Sequence, residues 1–211
     1  MPDLWLVLFA AASATAVTAL GAIPGWLAPG NAIRHLGWAN ALASGMMLGI
    51  SYVLLQQGIT IGPVGGIGGS VAGIAFIYAS HRLTMLSQVD LSRPNDRGAA
   101  SVRQVVQRGA FHSAAEGIAI GVGFLVDPLL GLFLAGTLAL HNVAEGTAIV
   151  AALTARGWSM PGAALLAVGT KSTHIPMAVA TAAWLGPAAL PAGLGFAAGS
   201  MFYLVLVELL P

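Results

Sequence analysis

Two segments, Phe111 to Ile120 and Leu140 to Ile149, each carry a histidine, a glutamate four residues later and then a glycine: His112, Glu116 and Gly117 in one, His141, Glu145 and Gly146 in the other. A spacing of four puts histidine and glutamate on one face of an α-helix, a turn apart. Imidazole and carboxylate together suit a borderline divalent cation, Zn²⁺ above all and Fe²⁺, Mn²⁺, Co²⁺ or Cd²⁺ with less discrimination. The chain has no cysteine, so thiolate ligation and disulfides are excluded. A bound cation would also offset carboxylate charges that the apolar surroundings could not otherwise hold. Protons compete for such ligands, so binding is expected to weaken as pH falls.

Three further ionisable residues lie within apolar stretches: Lys171, His174 and Glu208. Lys171 and His174 fall one turn apart and can complete or replace part of the site. A lysine ammonium cannot ligate a metal unless deprotonated, but it can pair with Glu116 or Glu145 and take a cation position. Glu208 falls near the end of the last apolar run, where a partly hydrated carboxylate could serve as an exit ligand on the transport path. Each has a plainer reading. A single intramembrane His-x-x-x-Glu often makes only an interhelical hydrogen bond, Lys171 could snorkel to an interface, and Glu208 could be an interfacial acid. Two matched motifs in adjacent segments outweigh the first of these. Asp127, before Pro128, fits a helix terminus better than a cation-attracting site, and His35 and His81 fall at segment ends, where they would be solvated.

The elements that must position these residues are set by composition. Of 211 residues, 57% are hydrophobic and 7% charged, against about 25% charged in a soluble domain. The fold class is therefore all-α, a polytopic transmembrane helical bundle in which 1–211 form one transmembrane domain. Seven apolar segments are expected, at 4–24, 36–56, 61–83, 102–126, 129–155, 160–184 and 189–210, each about the length of a spanning helix. A short connection between the fourth and fifth makes them antiparallel, so both motifs meet near mid-membrane. Arg34, the group Arg82 to Arg108, and Arg156 mark alternate loops. By the positive-inside rule the N-terminus lies outside and the polar loop 84–101 is cytoplasmic; the membrane expected is a bacterial-type inner (plasma) membrane. All five tryptophans fall near segment ends, as an aromatic belt requires. Met1-Pro2-Asp3 lacks the basic start of a cleavable signal, so the first segment is expected to be retained. A net charge of +1 offers nothing to nucleic acid. Ala43 to Leu48 resembles Ala197 to Phe202 in oppositely directed segments, as in an inverted repeat.

These residues resemble the ZIP (Zrt-/Irt-like) family of divalent metal transporters. The resemblance runs through Gly21-Ala22-Ile23-Pro24, Ala43-Ser44-Gly45-Met46-Met47-Leu48, the two His-x-x-x-Glu-Gly motifs, Gly195 to Met201 and Glu208-Leu209-Leu210-Pro211. It implies a 3+2+3 arrangement of eight helices, with zinc or a related ion (cadmium, iron, manganese) carried into the cytoplasm by alternating access. The metal is then transported substrate, and the protein is neither an enzyme nor dependent on a cofactor. The resemblance further implies that His112, Glu116, His141 and Glu145 form a primary site, and that Ser113 and Asn142 belong to a second metal site bridged by the glutamates. The chain departs from the family pattern at Ser113, often Asn, and at Ala115 and Ala144, often Pro. It departs too near His174, where a sixth-helix Glu is frequent, in lacking a His-rich loop, and in showing no eighth span. One or two bound metals stay open, as does the assembly, a homodimer included. Two rivals remain at the level of sequence: an intramembrane metal-dependent hydrolase, which lacks a His-Glu-x-x-His motif here, and a metal sensor without transport.

Overall fold

A computed structural model describes residues 2–27, 32–83 and 99–209, except the side chains of 32–36, 39, 40, 83, 99–105, 108, 208 and 209. Every regular element in these residues is helical. The chain forms α1 (Leu4–Ala16), a 3₁₀ segment (Val17–Ala22), α2 (Ile23–Leu27), α3 (Ala32–Ile61), α4 (Pro63–Leu83), α5 (Ala99–Val126) and α6 (Pro128–Thr154). It continues through α7 (Met160–Gly169), α8 (His174–Trp184), a 3₁₀ turn (Pro187–Ala189) and α9 (Leu190–Leu204), and ends in a π-helical turn (Val205–Leu209). The expected loop 84–101 lies outside the described residues up to 98, and 99–101 already belong to α5.

Among the described residues, six helical stretches are long and apolar enough to cross a membrane: Leu4–Leu27, Ala41–Ile61, Pro63–Arg82, Gly109–Val126, Pro128–Ala155 and Pro187–Val207. They match the first five expected segments and the seventh. The sixth differs. Instead of one helix over 160–184, α7 and α8 are separated by a turn at 170–173. Pro176 supplies the physical reason, because it cannot donate to the carbonyl four residues back and its ring would clash there. In the break the backbone turns tightly: Lys171 N donates to Val168 O and Ser172 N to Gly169 O. Thr170 Oγ1 also donates to its own helix, at Ala167 O, at 2.6 Å. Pro176 then sits in the first turn of α8, where a missing N–H costs little.

The connection between α5 and α6 is a single residue. Asp127 caps α6, its carboxylate accepting from Leu129 N at 2.8 Å and Leu130 N at 3.4 Å, with Pro128 opening the helix. So short a turn folds α5 and α6 back antiparallel. Neither helix breaks at Ala115 or Ala144.

Small residues set the helix spacing. Gly109, Ser113, Gly117 and Gly121 recur every four residues on α5 and receive the broken segment. A Cβ at Gly109 would collide with Thr170, at Gly117 with the His174 carbonyl, and at Gly121 with Thr181 and the Ala178 carbonyl. Gly66, Gly69 and Gly73 of α4 meet Gly195, Ala192 and Phe196 of α9 backbone to backbone. Such close approach gains dispersion where lipid provides no hydrophobic drive. Met47, Ile50, Leu54, Ile120, Leu134, Leu138 and Leu194 pack the interior. The outer surface is apolar too: all five tryptophans, Phe9, Val64 and Leu165 are exposed, as expected when the solvent is lipid.

Candidate metal centre

His112 lies 14 residues before the end of α5 and His141 13 residues after the start of α6. At 1.5 Å per residue both sit about 20 Å from the shared turn. Antiparallel packing puts Glu116 one turn nearer that turn than the histidines and Glu145 one turn further. Helical side chains lean toward their own N-terminus, so the two glutamates lean toward one another and meet at the level of the imidazoles.

The contacts follow that construction. Glu116 Oε1 lies 3.4 Å from His112 Nε2 and 3.1 Å from His141 Nε2. Glu145 Oε2 lies 3.5 Å from His141 Nε2 and 4.0 Å from His112 Nε2. One ligand atom from each of the four residues falls within 4.8 Å of the rest. The two imidazoles stack, with centroids 5.7 Å apart and planes 11° from parallel. His112, Glu116 and His141 are buried, and only the Glu145 side chain keeps some exposure, at 17%.

Other elements hold this face in place. His141 Nδ1 lies 3.3 Å from the Ala43 carbonyl of α3. A proton on Nδ1 donated to that carbonyl leaves Nε2 with its lone pair toward Glu116, the tautomer a metal ligand needs. Asn142 Nδ2 donates to Ala14 O of α1 at 2.8 Å, while its Oδ1 is buried without a hydrogen-bond partner. Gly146 meets the Thr18 carbonyl, and Gly21 meets the Gly146 backbone, at distances only glycine permits. The α1 span and its 3₁₀ continuation therefore lock directly onto the α6 motif.

The broken sixth segment brings Lys171 to the glutamates. Its buried ammonium donates to Glu116 Oε2 at 2.7 Å and to Glu145 Oε2 at 2.5 Å. Snorkelling is thereby ruled out. Ser113 Oγ lies 2.6 Å from Thr173 Oγ1 and 3.3 Å from the Thr170 carbonyl, both in the break. Thr173 Oγ1 donates onward to Ala110 O. His174 Nδ1 faces Thr15 Oγ1 at 3.3 Å, and its Nε2 is buried with no hydrogen-bond partner.

The structure thus gathers His112, Glu116, His141, Glu145 and Lys171 into one cluster, with Ser113, Asn142 and His174 tied to the break and to α1. The side chain of Glu208 lies outside the described residues. Sequence reasoning missed the carbonyls of Ala14, Ala43 and Thr170, which no residue type announces, and the anchoring hydroxyls of Thr15 and Thr173. Pro176 beside the polar run Thr170 to Thr173 was the available signal for the break.

A family model described as ZIP Zinc transporter matches residues 103–211, more than half of the chain, including both motifs. A protein of Arabidopsis thaliana named "Putative zinc transporter" is 34% identical over 216 residues, covering 98% of this chain. The chain spans about a third of the length of that relative, 34% of it. With buried histidine and glutamate pairs on adjacent apolar helices and a family model across them, the chain belongs to the ZIP zinc transporter family.

Proposed function

We propose that this integral membrane protein carries divalent metal cations, zinc first among them, into the cytoplasm by alternating access. His112, Glu116, His141 and Glu145 are its transport ligands. The observation that carries this reading is the convergence of four ligand atoms within 4.8 Å, deep in the bundle, from two helices joined by a single residue. Two imidazole nitrogens and two carboxylates form a four-ligand N/O set suited to Zn²⁺ and open to Cd²⁺, Fe²⁺ or Mn²⁺. The ion exchanges its water for these ligands and is released on the cytoplasmic side. Ser113 and Asn142 hold the motif helices to the break and to α1. His174, with a free buried nitrogen, is the next station on the path, and Glu208 is an exit carboxylate. Family membership supports transport over hydrolysis, and the metal is cargo.

The direct test is zinc flux into proteoliposomes with His141→Ala and Glu145→Ala reconstituted at wild-type density. Each is expected to drop to the level of empty liposomes. Undiminished flux in both would remove these residues from the path, and no flux in the wild type would favour a non-transporting metal protein.

A further inference from the structure

Glu116 divides its two oxygens. Oε1 faces His112 and His141, whereas Oε2 accepts from the Lys171 ammonium. Glu145 accepts from the same ammonium. A carboxylate that bridges two cations is placed in this way, one oxygen toward each. Here the second cation is covalently attached to the protein. It is buried, and the break at 170–173 delivers it.

We propose that Lys171 is a resident cation that fills the second cation position of the centre, so that each chain binds and carries one divalent ion at a time. The inference rests on the metal centre proposed above. Counting the carboxylates as ionised and the imidazoles as neutral, Lys171 cancels one of two buried negative charges in the empty protein. One divalent ion then leaves the cluster with a single net positive charge. A second ion added beside the ammonium would leave three, a prohibitive load at a buried site. The same ammonium has a second consequence. It halves the buried negative charge of the empty carrier, and so eases its reorientation unloaded.

The test counts Cd²⁺ bound by the purified full chain in nanodiscs, using equilibrium dialysis and elemental analysis, alongside thermal unfolding with and without Cd²⁺. Wild type should bind one Cd²⁺ per chain. Lys171→Ala, which removes the ammonium and leaves room, should bind two. Its unfolding temperature should fall below wild type in chelator and recover in Cd²⁺. Lys171→Arg keeps the charge and should stay at one. Two ions on the wild type, or one on Lys171→Ala with no added Cd²⁺ stabilisation, overturns the proposal while the transport site stands. If Lys171→Ala folds only in Cd²⁺, the metal has replaced the ammonium as expected. If it fails to fold even then, the proposal is wrong. No Cd²⁺ on the wild type would instead overturn the centre itself.

Discussion

At the scale of the residue, the centre depends on groups that aim its ligands as well as on the ligands. Asn142 is the clearest case. Its Nδ2 donates to the Ala14 carbonyl, and both groups are buried. Removing the amide leaves a buried carbonyl unpaired, which costs about 1–3 kcal/mol. Asn142→Ala is therefore expected to lower thermal stability by that order and to leave the number of bound Cd²⁺ ions unchanged, since the four ligands sit on other side chains. Loss of an ion in this variant, measured by dialysis, would place Asn142 among the ligands. The clustering of His112, Glu116, His141 and Glu145 was legible in the sequence, because a spacing of four on a helix fixes a shared face without any tertiary knowledge. Their orienting partners were not. His141 is set by a carbonyl of Ala43, and every residue has a carbonyl.

At the scale of the element, the governing feature is how closely α5 accepts the broken sixth segment. Gly117 follows Glu116 and faces the backbone of His174, three residues beyond Lys171. Gly117→Ala inserts a methyl group against a carbonyl that cannot rotate away. The helix-propensity gain of about 1 kcal/mol for Gly to Ala is opposed by overpacking of about 1–3 kcal/mol, and the clash should win because it is with backbone. The expected result is a lower unfolding temperature together with tighter Cd²⁺ binding, because the break must shift and take the competing Lys171 ammonium away from Glu116 and Glu145. Gly136→Ala on α6 is the control. Nothing lies within 4 Å of its added Cβ, so its unfolding temperature should not fall and its Cd²⁺ affinity should stay at the wild-type value. If the two variants behave alike, close packing at Gly117 does not position the centre. The repeat of Gly109, Ser113, Gly117 and Gly121 could be read from the sequence as a small-residue stripe. Its partner could not, since the apolar run 160–184 has the composition of one continuous helix and only Pro176 and the polar residues around Lys171 interrupt it.

At the scale of the whole molecule, the fold class followed from composition alone, because so apolar a chain has no soluble solution. Orientation is a separate matter that charge placement predicts, while the geometry gives only which end of the bundle is sealed at the centre. Between the centre and the α5–α6 turn, the bundle is closed by Ala119, Ile120, Val122, Phe124, Leu134, Ala135 and Leu138, all buried. The one ligand with an exposed edge is Glu145, whose backbone lies on the far side of the histidines from that turn. That side is also where α5 begins, adjoining the Arg-bearing loop. If the basic loop is cytoplasmic, the ion leaves past Glu145 into the cytoplasm and the sealed turn faces outward. The absence of native cysteine allows a clean check. In Leu129→Cys, beside the turn and exposed, a membrane-impermeant maleimide should label intact cells directly. In Ser92→Cys, within the polar loop, labelling should appear only after permeabilisation. The reverse pattern would turn the exposed edge of Glu145 into an outside-facing mouth and reverse the proposed direction of release, while leaving the ligand set untouched.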